Sequence, residues 1–329
     1  MVVVNWNRRE LLRACLESLT RQTDVNFETI VVDNGSSDGS ADLAANNFGA
    51  RVIRNTRNHG FCAANNQGIA AARGDFIALL NNDAEAEPGW LAALHSACSK
   101  RPDVGMAASK ILVWEDPKRI DKVAQLIFPD GQNRGRGSGE VDCGQFDREE
   151  EAAWPDGCAA MYRKEMLDSI GGFDEDLFAY GDDAELGLRA RIAGWTCIYA
   201  PGAVVRHHRG STMGMDSVDR VSLIERNRVL LAAKLFPWSL LWLNPFYFAV
   251  RIVAGIIIAR RKGGDTKHFP GLRGKWRLAN AIIGGDLAAL PLIPKMLRKR
   301  AEITRLRRLK PAEVRVLILH YRLSWKEVA

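Results

Sequence analysis

Phe76-Ile77-Ala78-Leu79-Leu80-Asn81-Asn82-Asp83 is a run of five apolar residues broken off by three polar ones. Five residues are too few for a stable helix and suit one buried strand, so the run predicts a strand with Asp83 projecting just past its carboxyl end. On the amino-terminal side, residues 2–6, 29–32 and 52–55 are further short runs rich in Val and Ile. The intervening stretches 10–19, 41–48 and 64–72 read as helices, and 88–99 reads as another after Asp83. Strands recurring with helices between them imply right-handed crossovers and a mainly parallel α/β sheet. Ligands of such sheets bind beyond the carboxyl ends of the strands, which makes the polar residues after each strand the candidates for chemistry.

The chain has 329 residues, 47% hydrophobic and 26% charged, values that exclude a disordered or collagenous chain. Its charge is divided unevenly: residues 220–329 hold 23 basic and 6 acidic side chains, a net +17, against −10 before them. A body of residues 1–219 and a basic helical extension of residues 220–329 are therefore expected, the extension facing an anionic partner. Six cysteines at 15, 62, 98, 143, 158 and 197 form no C-x-x-C pair and read as reduced, buried thiols. No charged segment and apolar run precede a cleavage site at the start, and the direct opening into a strand leads us to expect a residue or two before Met1. Residues 115–151, rich in Gly, Asp and Arg, read as a long surface loop.

Asp33 ends the Ile30-Val31-Val32 run and opens a turn, Asn34-Gly35-Ser36-Ser37-Asp38-Gly39-Ser40. A carboxylate there can accept from a ribose hydroxyl or an imide, or simply organise the turn. Asp83 offers an oxygen ligand to a hard divalent cation. Asp182 and Asp183 open a helix, either as caps or as carboxylates kept ionised by its positive end, as a general base must be. Glu185 is spaced to pair with Arg189. His207 arrives directly after a strand and is placed to bind a metal. No GxGxxG follows the first two strands, which argues against a dinucleotide-dependent dehydrogenase. A nucleotidyltransferase would carry a Gly-rich basic loop where Asn5-Trp6-Asn7-Arg8-Arg9 stands, and no zinc finger or RNA-recognition motif accompanies the basic tail.

The ordered set Val2-Val3-Val4-Asn5-Trp6-Asn7, Val31-Val32-Asp33-Asn34-Gly35-Ser36, Asn58-His59-Gly60-Phe61, Asn65-Asn66, Leu79-Leu80-Asn81-Asn82-Asp83-Ala84, Gly171-Gly172-Phe173-Asp174-Glu175 and Tyr180-Gly181-Asp182-Asp183 resembles the bacterial family 2 glycosyltransferases. The likeness is strongest to the rhamnosyltransferase-like members, which build cell-surface polysaccharides, and runs through most of residues 1–215. It implies a GT-A fold, a nucleotide-diphosphate sugar donor with dTDP-rhamnose favoured, a lipid-linked or polysaccharide acceptor, and inversion at the anomeric carbon. It further implies Asn5, Asn7, Asp33, Asn58, Gly60, Asn66 and Asn82 on the donor, Asp83 and His207 on a Mg²⁺ or Mn²⁺ ion, and Asp183 as base. Asn81 departs from the family's acidic metal motif and leaves the metal fewer protein oxygens. No nucleic-acid partner is expected.

Residues 238–259 are long enough to span a bilayer, but Asn244, Pro245 and Arg251 interrupt them. A single span would also export 18 basic and 5 acidic side chains of residues 260–329, against the positive-inside tendency. The expectation is a peripheral or monotopic protein on the cytoplasmic face of the inner membrane, where nucleotide sugars are, with residues 238–259 in the leaflet and 295–310 on anionic headgroups.

Overall fold

The computed structural model describes residues 1–210, 214, 216–260, 268–325 and 327. Two compact units emerge: Met1–Gln125 with Gly135–Arg209, and Leu126–Arg134 with Gly210–Ala329. The division near residue 210 precedes the composition break at 220, because the linker ahead of the first basic helix already belongs to the second unit.

The first unit is built on strands β1 (Val2–Asn5), β2 (Ile30–Asp33), β3 (Arg51–Arg54), β4 (Phe76–Leu80), β5 (Ala84–Ala86), β6 (Val104–Val113), β7 (Ile120–Val123), β10 (Glu150–Ala152), β11 (Ala159–Arg163) and β12 (Thr196–His207). Their order is β10-β12-β6-β11-β4-β1-β2-β3, with β5 paired to β12 and β7 to β6. Strands β1 to β4 are parallel and joined by helices α1 (Arg9–Thr20), α2 (Ser40–Phe48) and α3 (Phe61–Ala71). The sheet as a whole is mixed, which corrects the mainly parallel expectation: β11 enters antiparallel between β4 and β6, and β5, β7 and β10 are antiparallel too. Helix α4 (Trp90–Ser99) packs on β6 and β12, with Trp90 wholly buried. The apolar core collects Val3, Val31, Leu80, Leu94, Ala107 and Val205 from these layers.

Residues 115–151 are not the featureless loop expected. They hold β7, β10 and a separate two-stranded ribbon of β8 (Gln125–Ile127) and β9 (Asn133–Gly135). Strands of three or four residues are too short for a periodicity to register, and β7 has charged residues at its centre. Among the cysteines, Cys143 is exposed, contrary to expectation, and the other five are buried.

Helix α6 (Asp182–Ile192) is buried along its whole length, so it shows no polar face. Its arginines are therefore paired: Arg191 with Glu151, and Arg189 with Glu185 at 2.8 Å, as the spacing predicted, Arg189 also donating to the carbonyls of Ile170, Gly171 and Gly172. Those carbonyls end α5 (Lys164–Ile170), so one guanidinium locks the Gly171-Gly172 turn against α6.

The second unit is helical: α7 (Val218–Leu235), α8 (Trp238–Leu241), α9 (Asn244–Arg260), α10 (Gly271–Ala289), α11 (Ile293–Leu306) and α12 (Pro311–His320). Residues 238–259 are not one segment but two helices, with Pro245 in the first turn of α9, where a missing N–H is harmless. Arg251 of α9 is buried and pairs with Asp130 at 2.6 Å and Glu225 at 2.6 Å, while Arg228 holds Asp286 at 2.5 Å. Among the described residues no helix is long and apolar enough to cross a membrane. Residues 261–267, part of the expected basic stretch, lie outside the described residues.

Candidate active site

The carboxyl ends of β1, β2 and β4 are tied together by amides. Asn5 donates through Nδ2 to Ser36 Oγ at 3.2 Å and to Asp33 Oδ1 at 3.4 Å, and its Oδ1 accepts from Asn82 Nδ2 at 2.6 Å. Asp33 Oδ2 accepts the Ser36 N–H at 3.0 Å, so this carboxylate does organise its turn. Asn7, in the left-handed region with φ 50°, donates its N–H to Ser36 Oγ and accepts the Ser37 N–H. Asn58 Oδ1 accepts from Gly60 N–H at 2.8 Å and from Asn34 Nδ2 at 2.9 Å. At Gly60, with φ +90°, an added Cβ would lie 2.4 Å from the Phe178 ring, so only glycine fits. Six of the seven residues expected on the donor thus form one preorganised rim. Asn66 bonds elsewhere: its amide engages both backbone groups of Phe173 and the Glu175 carboxylate, fastening the turn after Gly172.

Asp83 and His207 meet beyond β4 and β12. Asp83 is buried, and its Oδ1 has no hydrogen-bond partner although His207 Nε2 lies 3.4 Å away. The far ring nitrogen, Nδ1, is 2.7 Å from Asp121 Oδ2, which orients the imidazole. Burial opposes a charged His207, yet the Cys158 sulfur, Asp121 and Asp83 around it raise its pKa well above the ordinary value. Burial would likewise raise Asp121, but Lys122, His207 and Arg209 outweigh it and hold that carboxyl down at about 2. Among the described residues no group of three or more His, Cys, Asp or Glu side chains is arranged to hold a metal alone. A cation here would rest on Asp83 and His207 Nε2 and take its other ligands from phosphate and water.

Asp183 lies on the buried first turn of α6. Its Oδ2 accepts from Gln125 Nε2 at 3.2 Å and Gly157 N–H at 3.3 Å, and its Oδ1 accepts the Ala184 N–H at 2.7 Å. Gln125 also donates to Asp156, which Lys122 holds at 2.8 Å. Ionisation is not secured by the helix end as expected. Burial, then the Asp156 charge, push Asp183 up to about 7, and burial and Asp183 push Asp182 well above the carboxylate range. The segment before α6 is strained, with non-glycine Phe178 and Tyr180 at φ 66° and 67°, and Phe178 is fixed by its carbonyl accepting from Cys62 N–H.

Asp121, Lys122, Gln125, Asp156 and Arg209 escaped the sequence reading, and Asn34 figures in it only as part of a turn and motif. The first three stand on or beside β7, inside the stretch read as loop. Asp156 follows Trp154-Pro155 with no periodicity around it, and only its proximity to Asp183 in the fold gives it meaning.

Residues 1–171, more than half of the chain, match the family model Glycosyl transferase family 2. The chain is 30% identical over 233 residues, 65% of its length, to the uncharacterized protein y4gI of Sinorhizobium fredii, of which it spans a quarter. It is 25% identical over 283 residues to the N-acetylglucosaminyl-diphospho-decaprenol L-rhamnosyltransferase of Mycobacterium tuberculosis, covering 76% of this chain and 88% of that one. Among solved structures it resembles GalNAc-T7 with UDP, GalNAc and Mn²⁺, at a TM-score of 0.59 and 17% identity, over 76% of this chain and 49% of that one. With a GT-A-like mixed sheet carrying this rim of side chains, the chain belongs to glycosyl transferase family 2.

Proposed function

We propose that the chain transfers a sugar, rhamnose first among the candidates, from a nucleotide-diphosphate donor to a hydroxyl of a lipid-linked or polysaccharide acceptor, with inversion. The name of the mycobacterial relative supports rhamnose and a diphospholipid acceptor, and the Mn²⁺ of GalNAc-T7 supports a divalent ion. The observation that carries the reading is the buried Asp83 Oδ1, without a hydrogen bond and facing an oriented imidazole. A buried carboxylate oxygen that accepts no hydrogen bond, with the His207 ring 3.4 Å away, fits a cation site, because its lone pairs are left free for a metal. Mg²⁺ or Mn²⁺ held there would neutralise charge developing on the diphosphate leaving group.

The chain's own groups do the rest. The rim of Asn5, Asn7, Asp33, Asn58, Gly60 and Asn82 receives the nucleotide with little reorganisation, since its side chains are already fixed by one another. Asp183, aligned by Gln125 and Gly157, takes the proton from the attacking hydroxyl, a contribution of about 10²–10⁴ in rate. The acceptor oxygen bonds to the sugar carbon as the bond to the diphosphate breaks, and no covalent enzyme intermediate is needed.

The reaction belongs, on this reading, at the cytoplasmic face of the inner membrane. Support comes from the second unit, where Trp242, Leu272 and Trp276 are exposed and α11 carries Lys295, Arg298, Lys299 and Arg300. The test is to follow hydrolysis of dTDP-, UDP- and GDP-sugars by the full chain, water taking the place of the acceptor hydroxyl, with Mn²⁺ and with EDTA. Consumption of dTDP-rhamnose above the others, abolished by EDTA, is expected. Failure to consume any nucleotide sugar overturns the transferase reading, and full activity in EDTA overturns the metal.

A further inference from the structure

Trp114 stands immediately after β6, and its backbone N–H donates to the carbonyl of His207 at 3.1 Å. Its indole Nε1 donates to Glu85 Oε1 at 2.8 Å, and its ring stacks on His208 with centroids 4.3 Å apart and planes 24° from parallel. The ring is thus fixed from the backbone, from its edge and across one face, yet 41% of the residue remains exposed. A scattered surface aromatic needs no explanation, but this one is held rigid at a functional edge. His208 also lies between two carboxylates, 3.8 Å from Glu85 and 3.7 Å from Glu115. A rigid aromatic face bordered by hydrogen-bond acceptors matches a sugar ring: polarised C–H groups of one pyranose face meet the negative π face, and equatorial hydroxyls donate to the carboxylates.

Strand order says which sugar. The donor rim sits at β1 and β2, and the Asp83–His207 pair lies beyond β4 and β12. Trp114 follows β6, separated from β1 by β11 and β4. It therefore stands beside His207 of the metal pair and three strand spacings, about 14 Å, from β1, out of reach of the rim assigned to the nucleotide. Resting on the transferase reading above, we infer that Trp114, with Glu85 and Glu115, forms the subsite for the pyranose ring of the acceptor.

The experiment is saturation-transfer NMR of the full chain with methyl N-acetyl-β-D-glucosaminide in the presence of dTDP and Mn²⁺. The expected result is saturation concentrated on one C–H face of the probe, lost in Trp114→Ala and partly retained in Trp114→Phe, which keeps a ring if the alanine variant melts early. In transfer assays the acceptor KM should rise roughly tenfold in Trp114→Ala, more than the donor KM. An absence of saturation in the wild type, or an unchanged pattern in a folded Trp114→Ala, overturns the subsite. A larger rise in donor KM than in acceptor KM also overturns it, by moving Trp114 to the donor. If the wild type binds the probe on Trp114 but consumes no nucleotide sugar, the transferase reading fails and the sugar site stands.

Discussion

As the proposed base, Asp183 has to be an ion on a helix with no face open to water. Burial and Asp156 raise its pKa to about 7. The base form then appears as pH rises through that value, so kcat/KM is expected to climb with an acid limb near neutrality. Removing the neighbouring negative charge with Asp156→Asn should move that limb to lower pH, and removing the positive one with Lys122→Met should move it up. A pH profile of each variant checks both, and opposite shifts would discard the network. Asp183→Asn should abolish transfer while nucleotide binding, followed by calorimetry, persists. The same substitution has a stability consequence. A carboxyl whose folded pKa exceeds its unfolded value loses native stability as pH rises from about 4 to about 7. Asp183→Asn should therefore be more urea-resistant than wild type at pH 8 by about 1 kcal/mol or more, with the difference shrinking at pH 5.

At the scale of elements, the turn of residues 58–60 and the strained segment before α6 fit as one joint, because Gly60 approaches the Phe178 ring too closely for any Cβ. Gly60→Ala must displace Phe178 or abandon φ +90°, so nucleotide affinity should fall roughly tenfold or more alongside a loss of stability. Calorimetric titration with dTDP and a thermal melt test this, and an unchanged affinity would separate the joint from the donor rim. The elements themselves were unequally legible. Strand β4 came out of the sequence with its observed limits, since an uninterrupted apolar run ended by polar residues has one reading. Strand β7 did not, because Asp121 is buried and Lys122 half-buried, both charged residues held by partners that come from β12 and the stretch after β10. Their pairing reverses the usual sign of a charged residue in a pattern, and nothing local announces it.

For the whole molecule, the uneven charge is the feature with experimental reach. Full-length protein is expected to float with vesicles containing phosphatidylglycerol at low salt and to be released as salt rises, since each basic residue near an anionic surface contributes about 1 kcal/mol that ions screen. Recovery of all the protein in the unbound fraction at low salt would remove the membrane from the model. The sequence by itself determined the α/β class and the family likeness and singled out Asp33, Asp83, Asp183 and His207 as candidates, because all of these depend on short-range order: an apolar run with a polar residue at its end, or a short motif. Tertiary structure alone decided that the sheet is mixed, that Asn66 fastens a turn, that Arg251 is buried among carboxylates, and that Asp183 is buried with the charges of Asp156 and Lys122 acting on it. The reason is physical: strand direction, burial and the charge state of a carboxyl are set by groups distant in sequence and adjacent in space, and a one-dimensional pattern carries no record of which groups those are.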